Sequence, residues 1–217
     1  LLDDKPLINY SIELAKKVDL AKNIKISIST DSNEIIKIAE NNGIFTKYKR
    51  PSNLAKDNSS KLETIKHLLE YEENHFNVKY DYIVEILCTN PLKRSLDIKN
   101  VINKQTSTKA DSVIAVVKQD DAHPLRIKKI VDGKIFNFLT QLKEIPESRR
   151  QDVRPFAYLR CGSIYSMRRD MLLKKIRYGS KNSLGYIMQR NKVINIDEQL
   201  DFEFAEFFMK KYSIKPE

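Results

Sequence analysis

Tyr80-Asp81-Tyr82-Ile83-Val84-Glu85-Ile86-Leu87, followed at once by Cys88-Thr89-Asn90-Pro91-Leu92-Lys93, is the stretch that decides the fold. A short, nearly continuous apolar run ending in turn residues suits a strand covered on both faces, and it predicts a central strand. Downstream, a helix is expected from near Ser95 with Ile98, Val101 and Ile102 on its buried face, then a strand over Ser112 to Val117. Upstream, Ser60 and Glu63 form a capping box ahead of Leu62, Ile65, Leu68 and Leu69. A loop from Lys47 to Asn58 precedes it. Ile24 to Thr30 alternates as a strand does, and Asp31 with Glu34 caps a helix carrying Ile35, Ile38 and Ala39 that stops at Asn42-Gly43. Pro6 to Val18 reads as the first helix. Strand and helix alternate, so the expected class is α/β, with a doubly wound, mostly parallel sheet. Ligands in such sheets bind beyond the carboxyl ends of the strands. Here those ends are Ser29-Thr30-Asp31, Cys88 to Pro91, and the stretch after Val117.

The pattern changes after Gln119. Leu125 to Val131 and Lys134 to Leu139 flank Asp132-Gly133, a β-hairpin signal. A polar loop from Thr140 to Arg154 and a strand-like run from Tyr158 to Met167 follow. Asn195 to Tyr212 closes the chain as a helix with Leu200, Phe204, Phe207 and Phe208 as its expected stripe. The expected organisation is one domain over 1–217 with an inserted segment over 119–160.

Composition narrows the function. The chain has 217 residues, 41% hydrophobic and 31% charged, enough to bury a core without staples. No apolar run approaches the ~18 residues of a membrane span. Two cysteines cannot form a disulfide scaffold, and a cytoplasmic location is the expectation. The formal net charge is +10, but the basic residues are scattered. A phosphate-bearing small molecule fits that sign more economically than nucleic acid, which is not expected as a partner. The opening Leu1-Leu2-Asp3-Asp4 does not read as a natural start.

Cys88, Cys161, His67, His75 and His123 show no metal-binding spacing, and GxSxG, HExxH and a glycine-rich phosphate loop are all absent. Four stretches remain, each with two readings. Arg50-Pro51 with Asp57 to Ser60 is either a nucleotide-facing loop and helix start or a capped surface loop. Thr89-Asn90-Pro91-Leu92-Lys93 is either a substrate wall or a strand-to-helix turn. Arg149-Arg150-Gln151-Asp152 is either a fork for a carboxylate or phosphate or a solvated charged loop. In Ile194-Asn195-Ile196-Asp197, alternation puts Asn195 and Asp197 on one side, facing a magnesium ion, unless Asp197 merely caps the last helix.

Together with Lys5-Pro6-Leu7-Ile8, Ser29-Thr30-Asp31-Ser32, Ala110-Asp111-Ser112-Val113, His123-Pro124-Leu125-Arg126, Gly162-Ser163-Ile164-Tyr165 and Leu200-Asp201-Phe202, these stretches occur in an order that resembles the acylneuraminate cytidylyltransferases, the CMP-sialic acid synthetase family. The resemblance implies a nucleotide-diphospho-sugar transferase-like fold and a reaction. CTP and an acidic nine-carbon (nonulosonic) sugar give CMP-sugar and pyrophosphate, with Mg2+ as cofactor. It implies roles for residues. Arg50 and Ser60 meet the nucleotide, Arg150 faces the sugar carboxylate, and Arg126 stands near the substrate. Tyr165 lies beside the sugar pocket, with Thr89, Asn90 and Gln151 as further sugar contacts. Asp197, with Asn195, binds magnesium, and Asp197 and Arg150 carry the catalysis. It also implies a homodimer joined through the 119–160 insertion.

There are departures. The family opens with a strand and a basic, glycine-containing loop ahead of the Lys-Pro-Leu-Ile helix, so this chain is expected to lack that front and to be incomplete for activity. Asn195 replaces an aspartate, Leu87 replaces a sugar-contacting glutamine, Cys161 replaces an asparagine, and Arg154 reads as an inserted residue. The loss of that glutamine points to a legionaminic-, pseudaminic- or otherwise modified acid. Another sugar nucleotidyltransferase of the same fold, or a non-catalytic basic binding module, remain as alternatives.

Overall fold

β1 (Tyr82–Ile86) sends its side chains alternately into two cores. In the computed structural model, which describes residues 2–18, 24–139, 149 and 153–212, Val84 and Ile86 pack with α1 (Leu7–Lys16) and α4 (Ser95–Thr108) through Leu14, Ile98 and Val101. Ile83 and Leu87 pack the other way, with α3 (Lys61–Phe76) and α5 (Arg169–Leu173) through Leu69 and Leu172. Period-two alternation with apolar residues on both faces is therefore used as expected, with helices covering both sides of the sheet.

Strand order and direction differ from the expectation. The described sheet runs β1, β5 (Ala157–Arg168), β2 (Ser112–Gln119), β6 (Ser183–Ile187). The β1–β5 and β5–β2 pairs are antiparallel and only β2–β6 is parallel, so the α/β sheet is mixed rather than mostly parallel. β5 returns from the inserted segment and slots between β1 and β2, which leaves β1 at one edge of the described sheet instead of its centre. Side-chain alternation is the same in either strand direction, so sequence periodicity does not report direction.

Three local expectations also shift. Ile24–Thr30 is extended but joins no ladder. Ile26 and Ile28 pack on Ile12, Ala39 and Ile44, and the Arg50 N–H donates to Thr30 O at 2.8 Å. α2 (Asn33–Asn41) is capped by Ser32, not Asp31. α6 (Gln199–Tyr212) starts later than expected and turns a different face inward. Ala205 and Met209 are buried with Phe202 and Phe208 packed on them, while Leu200, Phe204 and Phe207 are 58%, 50% and 52% exposed. Small Ala205 lets α6 sit close to α1 through Tyr10, a contact that counting large apolar residues overlooks.

The hairpin forms as expected from β3 (Lys128–Val131) and β4 (Lys134–Asn137), with Asp132 and Gly133 at φ +49° and +73° in the turn. It stands as its own two-stranded sheet.

A part-buried ion pair ties α3 to the start of α5. Glu73, 3% exposed, receives Arg169 Nε at 2.7 Å and an Arg169 terminal nitrogen at 2.8 Å. It also receives Lys79 Nζ at 3.0 Å and the Tyr80 N–H at 3.2 Å. The Arg169 hydrogen bonds hold its carboxyl down to about 2 against burial, which pushes the other way. That stabilisation is complete above the ordinary carboxyl range and is lost as pH falls from about 4.5 through about 2. Glu73→Gln is expected to lower unfolding free energy at pH 7 by about 1–2 kcal/mol, since Arg169 and Lys79 keep contact with solvent, and to flatten the acid side of the stability profile. Urea titrations from pH 7 to pH 3 check both, and an unchanged acid limb would refute the assignment.

Candidate active site

The site grows from a defect in β5. Ile114 of β2 pairs with Tyr165, and Val116 with Arg160, so Cys161 to Ile164 bulge opposite Ala115. Gly162 in the bulge has φ +58°, and a Cβ there would lie 2.9 Å from Asn195 Oδ1. Glycine is what lets the Asn195 side chain rest against the strand backbone. A cleft of about 480 Å³ opens at this point, lined by Gln119, Arg160, Gly162, Tyr165, Arg190 and Asn195 among others. Among the described residues its lining includes two arginines and no carboxylate. A second cleft, about 640 Å³, is lined by Asp31, Lys49, Arg50, Pro51, Ser52 and Ala55.

The turn after β1 forms the site's inner support. Lys93 is 1% exposed, and its ammonium donates to Leu87 O at 2.6 Å, Asn90 O at 2.6 Å and Ser11 Oγ at 3.0 Å. Burial pushes its pKa down to about 7, with the nearby Cys88 and Cys161 acting in the opposite direction. The Asn90 side chain is enclosed and donates to Cys161 O at 3.3 Å, so it braces the bulge from within. Thr89 faces the 195–197 segment: its hydroxyl donates to Asn195 Oδ1 at 3.3 Å, and its carbonyl accepts from Ile196 N–H at 2.8 Å.

Asn195 and Asp197 do share one side, with Asn195 Nδ2 donating to Asp197 Oδ2 at 2.6 Å. In the first turn of α6 the Asp201 carboxylate accepts the Asp197 and Glu198 N–H groups at 3.0 Å each, and among the described residues the Asp197 carboxylate accepts from no N–H of α6. The Asp197 carboxylate is thereby free of the capping duty that was its alternative role. Among the described residues no group of three His, Cys, Asp or Glu side chains could hold a metal on its own. The donors Asp197, Asn195 and Thr89 are all oxygen-bearing, the chemistry of a magnesium ion that takes its remaining ligands from substrate phosphates and water.

The other expected residues divide. Tyr165 is buried and lines the cleft, with the Arg177 guanidinium 3.6 Å from its ring centroid. Burial raises its hydroxyl pKa. Arg50 lines the second cleft and is braced through Nε to Ser29 Oγ at 3.1 Å. Ser60 caps α3, accepting from Glu63 N–H at 3.4 Å, and does not line that cleft. Arg126 is exposed at the end of a short 3-10 turn (Pro124–Arg126) and lines neither cleft. Arg150 and Gln151 lie outside the described residues. Sequence reading passed over Arg160, Arg190 and the role of Gly162. A glycine inside a strand pattern was the available signal for the last.

A family model described as cytidylyltransferase matches residues 1–206. The chain belongs to that family. Among curated proteins, the cytidylyltransferase is 31% identical over 214 residues to post-translational flagellin modification protein B of Campylobacter coli, covering 99% of this chain and 88% of that protein. It is 30% identical to CMP-N,N'-diacetyllegionaminic acid synthase of Campylobacter jejuni, covering 97% and 86%. A solved CMP:2-keto-3-deoxy-manno-octonic acid synthetase complexed with CTP aligns with TM-score 0.64 over 96% of this chain and 89% of that one, at 14% identity. That likeness confirms the nucleotidyltransferase fold expected from the sequence.

Gly162→Ala tests whether the cytidylyltransferase site depends on the bulge. The added methyl must displace Asn195, so turnover is expected to fall on the order of 10- to 100-fold with the circular dichroism spectrum retained. Unchanged turnover in the folded variant would show that Asn195 need not sit there.

Proposed function

We propose that this cytidylyltransferase joins CTP to a nonulosonic acid, releasing pyrophosphate and forming the CMP-sugar. The observation that carries the reading is the pairing of Asp197 with Asn195, which lines the cleft together with Arg160 and Arg190, in a chain whose family match spans residues 1–206. The anomeric hydroxyl of the sugar would attack the α-phosphorus in line, forming the new O–P bond as the bond to pyrophosphate breaks.

Asp197 and Asn195 would hold a magnesium ion, which would supply positive charge to the phosphate oxygens as the transition state forms. Arg50 and Lys49 would meet the nucleotide at the second cleft, while Tyr165 would border the sugar. Leu87 packs with Tyr165 and Leu69 in the core, so it offers no polar contact to the sugar. That favours a modified acid, and one relative is named for a diacetylated legionaminic acid.

A homodimer and a cytoplasmic setting belong to the same proposal. The hairpin and its flank expose Ile130 at 75%, Ile135 at 69% and Phe138 at 57%, and β5 exposes Leu159 at 56%, apolar side chains suited to a second copy of the chain. No helix among the described residues is long and apolar enough to cross a membrane.

The test is pyrophosphate release from CTP, UTP and GTP with a panel of nonulosonic acids. CTP preference, dependence on added magnesium, and a loss of at least about 100-fold in Asp197→Ala are expected. Preference for UTP or GTP would move the chain to another nucleotidyltransferase class. Sedimentation should give a dimer that Ile130→Glu with Ile135→Glu dissociates.

A further inference from the structure

We propose that Glu85 is a positioning residue for the sugar site: it fixes the Arg177 guanidinium over the face of Tyr165 and so sets the aromatic wall of the cleft. This rests on the nonulosonic acid reading above.

Glu85 interrupts the apolar run of β1. Ile83, Glu85 and Leu87 alternate onto one face, where Ile83 and Leu87 pack with Leu69, Leu172 and Tyr165. Glu85 is the direct cross-strand partner of Tyr165. Its side chain is 16% exposed and pairs with Arg177, itself 15% exposed, while the ammonium of Lys61 lies 3.7 Å away. The Arg177 guanidinium carbon lies 3.6 Å from the centroid of the Tyr165 ring, in contact with its face. Tyr165 in turn is buried and lines the cleft with Gly162 and Asn195.

Stability does not account for this arrangement. A largely desolvated ion pair in an apolar layer gains little over apolar residues of the same volume. Here Arg177 Nε is also buried with no hydrogen-bond partner among the described residues, which is a further cost. What the pair supplies is orientation. An arginine side chain has many rotamers, and the carboxylate on β1 selects the one that lies against Tyr165. The ring is then held between the sheet and a guanidinium, and the cleft keeps a rigid wall. A sugar aligned against a fixed wall presents its hydroxyl in one orientation, so loosening the wall raises KM for the acid and lowers kcat. Binding of CTP, placed above at the second cleft, changes little.

Wild type, Glu85→Gln, Arg177→Gln and Arg177→Lys are measured as full chains, each alone and combined with Tyr165→Leu, by thermal unfolding and by pyrophosphate release with the acid that wild type uses best. Glu85→Gln and Arg177→Gln are expected to lower kcat/KM for the acid at least about tenfold, with KM for CTP within about twofold. Arg177→Lys should recover part of the loss, because it keeps a charge over the ring. In the Tyr165→Leu background Glu85→Gln should cost less than about twofold more, since its effect runs through that ring. An equal loss in both backgrounds, or a lowered melting temperature with KM and kcat unchanged, overturns the assignment. Ring flipping of Tyr165, read by nuclear magnetic resonance of 13C-labelled tyrosine and assigned by the signal lost in Tyr165→Phe, needs no turnover. It is expected to speed up at least about tenfold in Glu85→Gln, and an unchanged rate also overturns the assignment. If wild type turns over no acid at all, the function proposed above fails, and the ring-flip comparison still decides the role of Glu85.

Discussion

A single buried ammonium organises the working end of this protein. Lys93 cannot reach water, and it is held by two backbone carbonyls and a hydroxyl from three points of the chain: the end of β1, the turn that follows, and α1. A buried charge is costly unless its hydrogen bonds are satisfied, and here the satisfaction dictates geometry. Leu87 O and Asn90 O must point at the same atom, which closes the Cys88–Asn90 turn tightly, and Ser11 must approach it, which docks α1. Removing the ammonium would leave the buried Asn90 O unpaired, at about 1–3 kcal/mol, and Leu87 O with only the Ser11 hydroxyl at 3.4 Å.

The consequences run outward from that turn. Thr89, held in place, offers its carbonyl to Ile196 and its hydroxyl to Asn195. Asn90 reaches across to Cys161 at the start of the β5 bulge. The bulge has room for Asn195 only because residue 162 is glycine. Asp197 then stands beside Asn195, relieved of capping by Asp201. Placement of the candidate site residues is a matter of strand ends and turns held by hydrogen bonds, and the helices cover the sheet on both sides.

Much of this was legible in the sequence, for physical reasons. The apolar run at 82–87, the Ser60 N-cap and the Asp132-Gly133 turn are local signals whose energetics are decided within a few residues, and each formed where it was expected, although the Glu63 carboxylate pairs with Lys175 instead of closing the expected box. The same-side placement of Asn195 and Asp197 followed from strand periodicity alone. Strand direction and order were not legible, because β5 enters the sheet from a distant part of the chain and alternation carries no polarity. The inward face of α6 was misread because Ala205, a small residue chosen for close approach, counts for little in an apolar stripe. Lys93 reads as an ordinary polar turn residue until the surrounding carbonyls are placed, and Glu85 stands out only once Arg177 and Tyr165 are seen beside it.

The most direct measurement is amide hydrogen exchange on Lys93→Met. A buried ammonium that positions the site should, when lost, speed exchange at Leu87 N–H, which bonds to Ser163 O, and at Ile196 N–H, which bonds to Thr89 O. An increase of at least about tenfold at both is expected, with Leu69 in α3 unchanged. Faster exchange at Leu87 alone, with Ile196 as protected as in the wild type, would contradict the claim that Lys93 holds the 195–197 segment in place.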